Sequence, residues 1–212
     1  MNKNILTNAI LIITLSLAAS VYALPPGSMP DWTGSQDFSY DQNGWLLTGH
    51  VDYAVYHAEN WTGNFTPDAD YIYTYQIFND STSIGIVDSL SVLLPAGADL
   101  GSIDTEEIAG GVLPFFSYFT PDISNAKSTL YLFLPAFHGN PFGGFIDPGD
   151  YSAILYFTSN NQPTMGESIL SNQGISLALP TALVPEPITL VLLAFGSLAI
   201  RAKRKRPNIP AA

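Results

Sequence analysis

The 212-residue chain has no cysteine, and between residues 24 and 184 it has a single basic residue, Lys127. The first absence excludes disulfides, thiolate nucleophiles and cysteine-ligated metals. The second leaves 17 of the 18 acids facing one base across that span, a net charge of −16, where the whole chain stands at −11. A body this acidic repels phosphate backbones and anionic lipid surfaces, so nucleic acid is excluded as an expected partner. The G-x-S-x-G elbow, the H-E-x-x-H pair and the spacing of an EF-hand loop are missing too. No catalytic residue, no metal ligand and no cofactor is therefore assigned, and the body is expected not to be an enzyme.

What is present divides the chain into two short devices and one large middle. Residues 1–23, "MNKNILTNAILIITLSLAASVYA", place Lys3 in a polar start, an apolar core from about Ile10 to Ala19, and small side chains before a break. That three-part pattern is a secretory signal peptide, with signal peptidase expected to cut after Ala23. The apolar core is too short for a comfortable membrane anchor. Export is the consequence.

The other end carries the bases that the middle lacks. Ile188 to Ile200 are thirteen residues without a charge, and Arg201, Lys203, Arg204, Lys205 and Arg206 follow directly. As a helix, 188–200 spans about 20 Å, against a hydrocarbon core of about 30 Å. Snorkelling of Arg201 and Lys203 recovers part of that deficit, and Gly196-Ser197 is tolerated in such a helix. The basic block is expected to stay cytoplasmic with the body outside, the same orientation that the signal peptide imposes.

Val184-Pro185-Glu186-Pro187, the short apolar span and the terminal basic block together resemble the PEP-CTERM sorting signal, here residues 184–206. That family is found on exported proteins of Gram-negative-type bacteria, often ones that make extracellular polysaccharide. The resemblance implies that Pro185, Glu186 and Pro187 are read by an exosortase, a membrane-embedded cysteine protease or transpeptidase, and that the tail is removed. The "PNIPAA" after the basic block departs from the family pattern. The resemblance covers about 25 residues and carries nothing specific to the middle, apart from "YTYQIFNDS" followed by "VDSLSV", which is similar to strand pairs of PEP-CTERM sandwich proteins.

After a flexible lead-in at 24–35, residues 36–180 read as all-β. In "WLLTGHVDYAVY", 45–56, the odd positions Trp45, Leu47, Gly49, Val51, Tyr53 and Val55 form one face and a more polar set forms the other. Period-two alternation over twelve residues predicts a half-buried strand with a kink or close approach at Gly49, and Trp45 falls in the core register. "YIYTYQIF", 71–78, puts Tyr71, Tyr73 and Tyr75 on one face. Further strands are expected at 86–94, 112–119, 128–134, 151–158 and 175–179, with an edge strand around 36–41. "SNNQPTMG" reads as one of the Asn-, Gly- and Pro-rich connectors, and 100–111 reads as a short helix capped by Ser102 or Asp104. Seven or eight strands without a βαβ rhythm predict a single antiparallel β-sandwich, flanked by an N-terminal signal helix and a C-terminal transmembrane helix at 188–200.

Candidate chemistry in the middle is sparse. His50 and Asp52 are neighbours on the polar face of one strand, which reads as solvated polarity rather than an orienting pair. His57-Ala-Glu59 lacks the cysteines of a zinc deaminase, and His138 stands alone. Asp147-Pro-Gly-Asp150 reads as a tight turn. Asp68 with Asp70, or Asp147 with Asp150, would be the carboxylates to hold calcium if any did. Trp61, in a polar turn, either stacks on a sugar ring or folds back over the end of the sandwich, the second being the more economical reading. Phe137, Phe142 and Phe145 enrich a hairpin loop. Asn60, Asn64 and Asn79 match the glycosylation pattern but serve turns in a bacterial protein.

The expectation is therefore an exported PEP-CTERM protein with a non-enzymatic acidic sandwich, held by its C-terminal helix until processing and then left at the cell surface or released. Exosortase and signal peptidase are the expected partners, with exopolysaccharide as a further one. The alternative is a carbohydrate-binding or carbohydrate-degrading β-sandwich module.

Overall fold

Alternating side chains build most of the strands, and the pleat sorts them between a shared interior and two outer faces. The computed structural model describes residues 27–42, 44–95, 97–121, 127–134, 144–171 and 173–183. One sheet contains β1 (Thr33–Gln42), β2 (Trp45–His57), β3 (Tyr71–Asn79), β8 (Ile154–Ser159) and β5 (Leu100–Glu106), in that order. The other contains β10 (Ile175–Ala182), β9 (Pro163–Leu170), β4 (Ser89–Leu94), β7 (Lys127–Leu132) and β6 (Phe116–Pro121). Every neighbouring pair of strands is antiparallel. The two sheets share one interior.

That interior takes Leu47, Val51 and Val55 from β2, and Tyr73, Tyr75 and Ile77 from β3. Leu155 and Phe157 of β8 meet Leu90, Val92 and Leu94 of β4, Tyr131 of β7, and Leu177 and Leu179 of β10. Burying each such side chain contributes roughly 1.5–3 kcal/mol before the entropy of ordering is subtracted. The tyrosine face read from 71–75 is therefore an inner face. Tyr73 stacks on Phe157 with ring centroids 4.5 Å apart, and its hydroxyl donates to the Asn161 carbonyl at 2.7 Å. Gly49 is a close approach, as its position in β2 implied: a Cβ there would stand 2.0 Å from the Phe78 carbonyl oxygen.

Four sequence expectations are corrected. Residues 100–106 are strand β5, not the start of a helix. Ile103 and Thr105 pair with Phe157 and Leu155 of β8, and Ser102, expected as a cap, gives its N–H and hydroxyl to Asp68 instead. The connector "SNNQPTMG" runs into strand β9, which sits between β10 and β4. Its inward positions include Gly166, where an added Cβ would lie 2.2 Å from Thr181 Cγ2. With small residues facing in, β9 shows no apolar alternation. The edge strand begins at Thr33 rather than near 36, and just before it the Met29 N–H donates to the Val55 carbonyl at 2.7 Å.

The fourth correction concerns Trp45, which is 55% exposed rather than core. It holds the inner register, opposite Gln42, but at the hairpin end, where the facing sheet no longer covers it. Conversely Ala54 and Tyr56, from the face expected to be polar, are buried.

Register gives the molecule two distinct ends. The β1–β2 and β9–β10 hairpins lie at one end, marked by the pairs Gln42–Trp45 and Leu170–Ile175. The pairs His57–Tyr71, Tyr71–Ser159 and Pro163–Ala182 mark the other, where Leu183 follows β10. The outer faces differ as well. Asp37, Asp52, Asp104 and Glu106 lie on the outer face of the β1-β2-β3-β8-β5 sheet, whereas Phe116, Tyr118 and Met165 are exposed on the other sheet.

The segments expected to form a signal helix, 1–23, and a transmembrane helix, 188–200, lie outside the described residues. Among the described residues no helix is long and apolar enough to cross a membrane. The helical turns there are the 3₁₀ pieces Pro30–Trp32 and Ala58–Asn60.

Candidate functional site

The residues of the expected sorting device, Ala23, Pro185, Glu186, Pro187, Arg201, Lys203, Arg204, Lys205 and Arg206, all lie outside the described residues. What the structure places is the strand that precedes Pro185-Glu186-Pro187 in the chain. Strand β10 closes at Ala182, and the Leu183 N–H donates to the Gln162 carbonyl at 2.6 Å. Among the described residues, the buried core is drawn from 38 to 182.

Trp61 folds back, as the more economical reading had it, but over a sheet face rather than a sandwich end. It meets Tyr56 edge-on at 4.9 Å and Phe65 at 4.9 Å, while Phe65 stacks on Tyr156 at 4.0 Å. Together these rings form a second apolar cluster with Ala54 and Ile72 on the outside of the first sheet. Loop 58–70 is held there by Glu106, whose Oε1 accepts from the Asn64 backbone at 3.1 Å and from its side chain at 2.9 Å. Asn64 is thus a loop anchor. Asn79 is another, since its buried amide donates to the Gly85 and Ile146 carbonyls.

Of the histidines, His50 Nε2 lies 3.9 Å from Asp52 Oδ1 and its ring stacks on Phe78 at 4.6 Å. His57 faces Tyr71 at 5.0 Å, beside an open depression of about 320 Å³ that also takes in Ala58, Glu59 and Asp70. His138, Phe137 and Phe142 lie outside the described residues.

The carboxylates are used by the fold. Asp150 N–H donates to the Asp147 carbonyl at 2.9 Å with Gly149 at φ +91°, the tight turn that this tetrapeptide implied. Burial alone would raise the Asp68 carboxyl, but hydrogen bonds from the Ser102 and Thr158 hydroxyls and the Ser102 N–H outweigh it and hold the group below the usual aspartate value. Among the described residues, no three His, Asp or Glu side chains gather to hold a metal ion. Burial is also the first cause of the raised Tyr156 phenol, pushed up to about 12, with Asp104, Glu106 and Asp68 adding to it.

What remains open is the hairpin end. Trp45, Tyr40, Gln42 and Gln173 line a depression of about 240 Å³ formed jointly by hairpins from the two sheets. The two-residue loop between the paired Gln42 and Trp45 contains Gly44 at φ +82°, a conformation glycine adopts without a Cβ penalty. "QNGW" was the available signal. An aromatic directly after a hairpin turn sits at the sheet's limit, where inner register no longer means burial.

No family model, curated protein or solved structure matches the chain.

Proposed function

We propose that the chain is exported, cut by signal peptidase after Ala23, and sorted at Pro185-Glu186-Pro187 by an exosortase. Its acidic β-sandwich is then displayed at the cell surface or released, as a non-enzymatic component of the envelope or exopolysaccharide matrix. One ordering along the chain carries this reading. A signal peptide is followed by a domain whose last described strand ends at Ala182, then by the tripeptide, an uncharged span and a block of bases.

The parts work together physically. The span at 188–200 holds the substrate in the inner membrane, and the bases resist translocation. The two prolines lack amide donors and disfavour helix before them, which keeps Glu186 and its neighbouring peptide bonds extended for a protease. Only three residues separate Ala182 from Glu186, so the cut falls close to the folded domain without entering its last strand.

C-terminal mass spectrometry of the protein from cells with and without an exosortase tests this. The expected outcome is a trimmed chain in the first and a chain ending at Ala212 in the second. Identical intact tails in both would overturn it, leaving the segment as a permanent anchor. Replacing Pro185, Glu186 and Pro187 by alanine should leave export intact and let the larger, membrane-retained form accumulate.

The alternative of a carbohydrate-binding module is favoured by one observation, the exposed Trp45 in its depression. It concerns what the sandwich binds and is compatible with the sorting reading.

A further inference from the structure

We infer that the hairpin end is a binding platform for an uncharged sugar ring, with Trp45 as the stacking surface and the amides of Gln42 and Gln173 as its polar partners. This develops the carbohydrate-binding alternative and is independent of how the C-terminus is processed.

Three observations carry it. First, an indole more than half exposed is an apolar face left in water. It lies on a two-residue hairpin whose ladder to β1 fixes its position, so binding needs little ordering of the backbone. The C–H face of a pyranose removes apolar area of that kind from water. Second, each amide is exposed and has its Oε1 beside a hydroxyl, which for Gln173 is one that Asp88 Oδ1 shares at 3.0 Å. The Tyr40 hydroxyl is 3.1 Å from Gln42 Oε1, and the Ser171 hydroxyl is 2.5 Å from Gln173 Oε1. Tethering of this sort orients an amide for the ring hydroxyls of a ligand, which need both donors and acceptors.

Third, charge and size select the ligand class. The four lining residues are uncharged, although the body of the protein carries −16. The surrounding field repels an anionic polymer, and the platform offers a cation no carboxylate. The depression, about 240 Å³, is below the roughly 300–1,000 Å³ typical of sites for drug-sized ligands. It suits a single ring of a longer neutral chain. The depression at His57 has the opposite character, because Glu59 and Asp70 line it.

The placement agrees with display. Strand β10 runs eight residues from the hairpin end to Ala182, so the platform is about 25 Å from Leu183.

The test uses the full-length chain in detergent micelles against an array of neutral oligosaccharides (glucans, mannans and galactans) and acidic ones (uronates and sulfated glycans). Binding to at least one neutral series is expected, with protection of Trp45 fluorescence from acrylamide in the unsubstituted protein. Trp45→Ala should weaken that binding about tenfold or more while leaving the melting temperature unchanged. Gln173→Ala should weaken it by a smaller factor, and Trp61→Phe should leave it as it was. Absence of neutral binders, hits confined to acidic glycans, or full binding by Trp45→Ala would each overturn the proposal. So would sedimentation showing a dimer that Trp45→Ala dissolves, since the ring would then be covered by a second copy. None of these outcomes bears on C-terminal trimming, so this inference and the sorting reading fail separately.

Discussion

The hydroxyl of Tyr75 donates to the carbonyl of Pro180 at 2.5 Å, joining a central strand of one sheet to the outermost strand of the other through the core. Tyr131, equally buried, has no hydrogen-bond partner for its hydroxyl among the described residues. The two phenols therefore make opposite contributions. Tyr75→Phe is expected to cost about 1–2 kcal/mol, because it also strands a buried carbonyl. Tyr131→Phe should be neutral or stabilising, because it removes an unsatisfied group. Urea unfolding of both variants checks this, and equal losses would contradict the assignment.

At Gly49 the prediction rests on backbone rather than a flexible neighbour. A methyl group there meets the Phe78 carbonyl oxygen at 2.0 Å and the Phe38 ring at 2.7 Å. Gly49→Ala should destabilise by about 1–3 kcal/mol or more, as overpacked sites do. A melting temperature equal to that of the unsubstituted chain would show that β2 and β3 are farther apart than described.

Removing the ring that covers the first sheet should be costly although Trp61 lies in a loop. Trp61→Ala uncovers Tyr56 and one side of Phe65, and a loss of roughly 3 kcal/mol is expected, with loop 58–70 becoming susceptible to protease. Stability unchanged within error would mean that the loop cover is dispensable.

Alkaline pH should unfold the domain. Burial raises the phenols of Tyr56, Tyr73, Tyr75 and Tyr131 above their ordinary value, and that of Tyr156 to about 12. In the unfolded chain the same groups ionise near pH ~10. The native state thus keeps protons that the unfolded state has lost. The stabilisation is complete below about pH 10 and declines as pH rises beyond it, for Tyr156 until about 12. Tyrosinate absorbance is expected to appear in one cooperative step with loss of the β-sheet circular dichroism. Gradual ionisation with the sheet signal intact would contradict the burial.

Much of the sandwich was legible because its long strands obey period two. Leu47, Val51 and Val55, and likewise Tyr73 and Tyr75, announce their face without help from the rest of the chain. The strands that escaped notice did so for separate reasons. β5 carries Asp104, Glu106 and Glu107 around its end, a composition that suits the first turn of a helix, and only pairing with β8 decides otherwise. β9 faces inward with Gly166 and Ser168, so it lacks the apolar beat by which a strand is recognised. The hairpin end was misjudged for a third reason: alternation tells which face a side chain takes, not how far the opposite sheet extends. That quantity belongs to the assembled pair of sheets. Loop cover over Tyr56 is of the same kind, being set by a contact between Asn64 and Glu106 that are 42 positions apart.

Strand β10 brings Ala182 and Leu183 to the end opposite the two hairpins. A force drawn along the chain from Leu183, resisted at the hairpin end, therefore runs parallel to the strands. The ladder bonds between β9 and β10 lie across that direction, from Ile175–Leu170 to Ala182–Pro163. They are loaded together in shear, whereas a peeling geometry would open them one by one. A domain pulled between Leu183 on one side and a load at the hairpin end on the other is strongest along this axis.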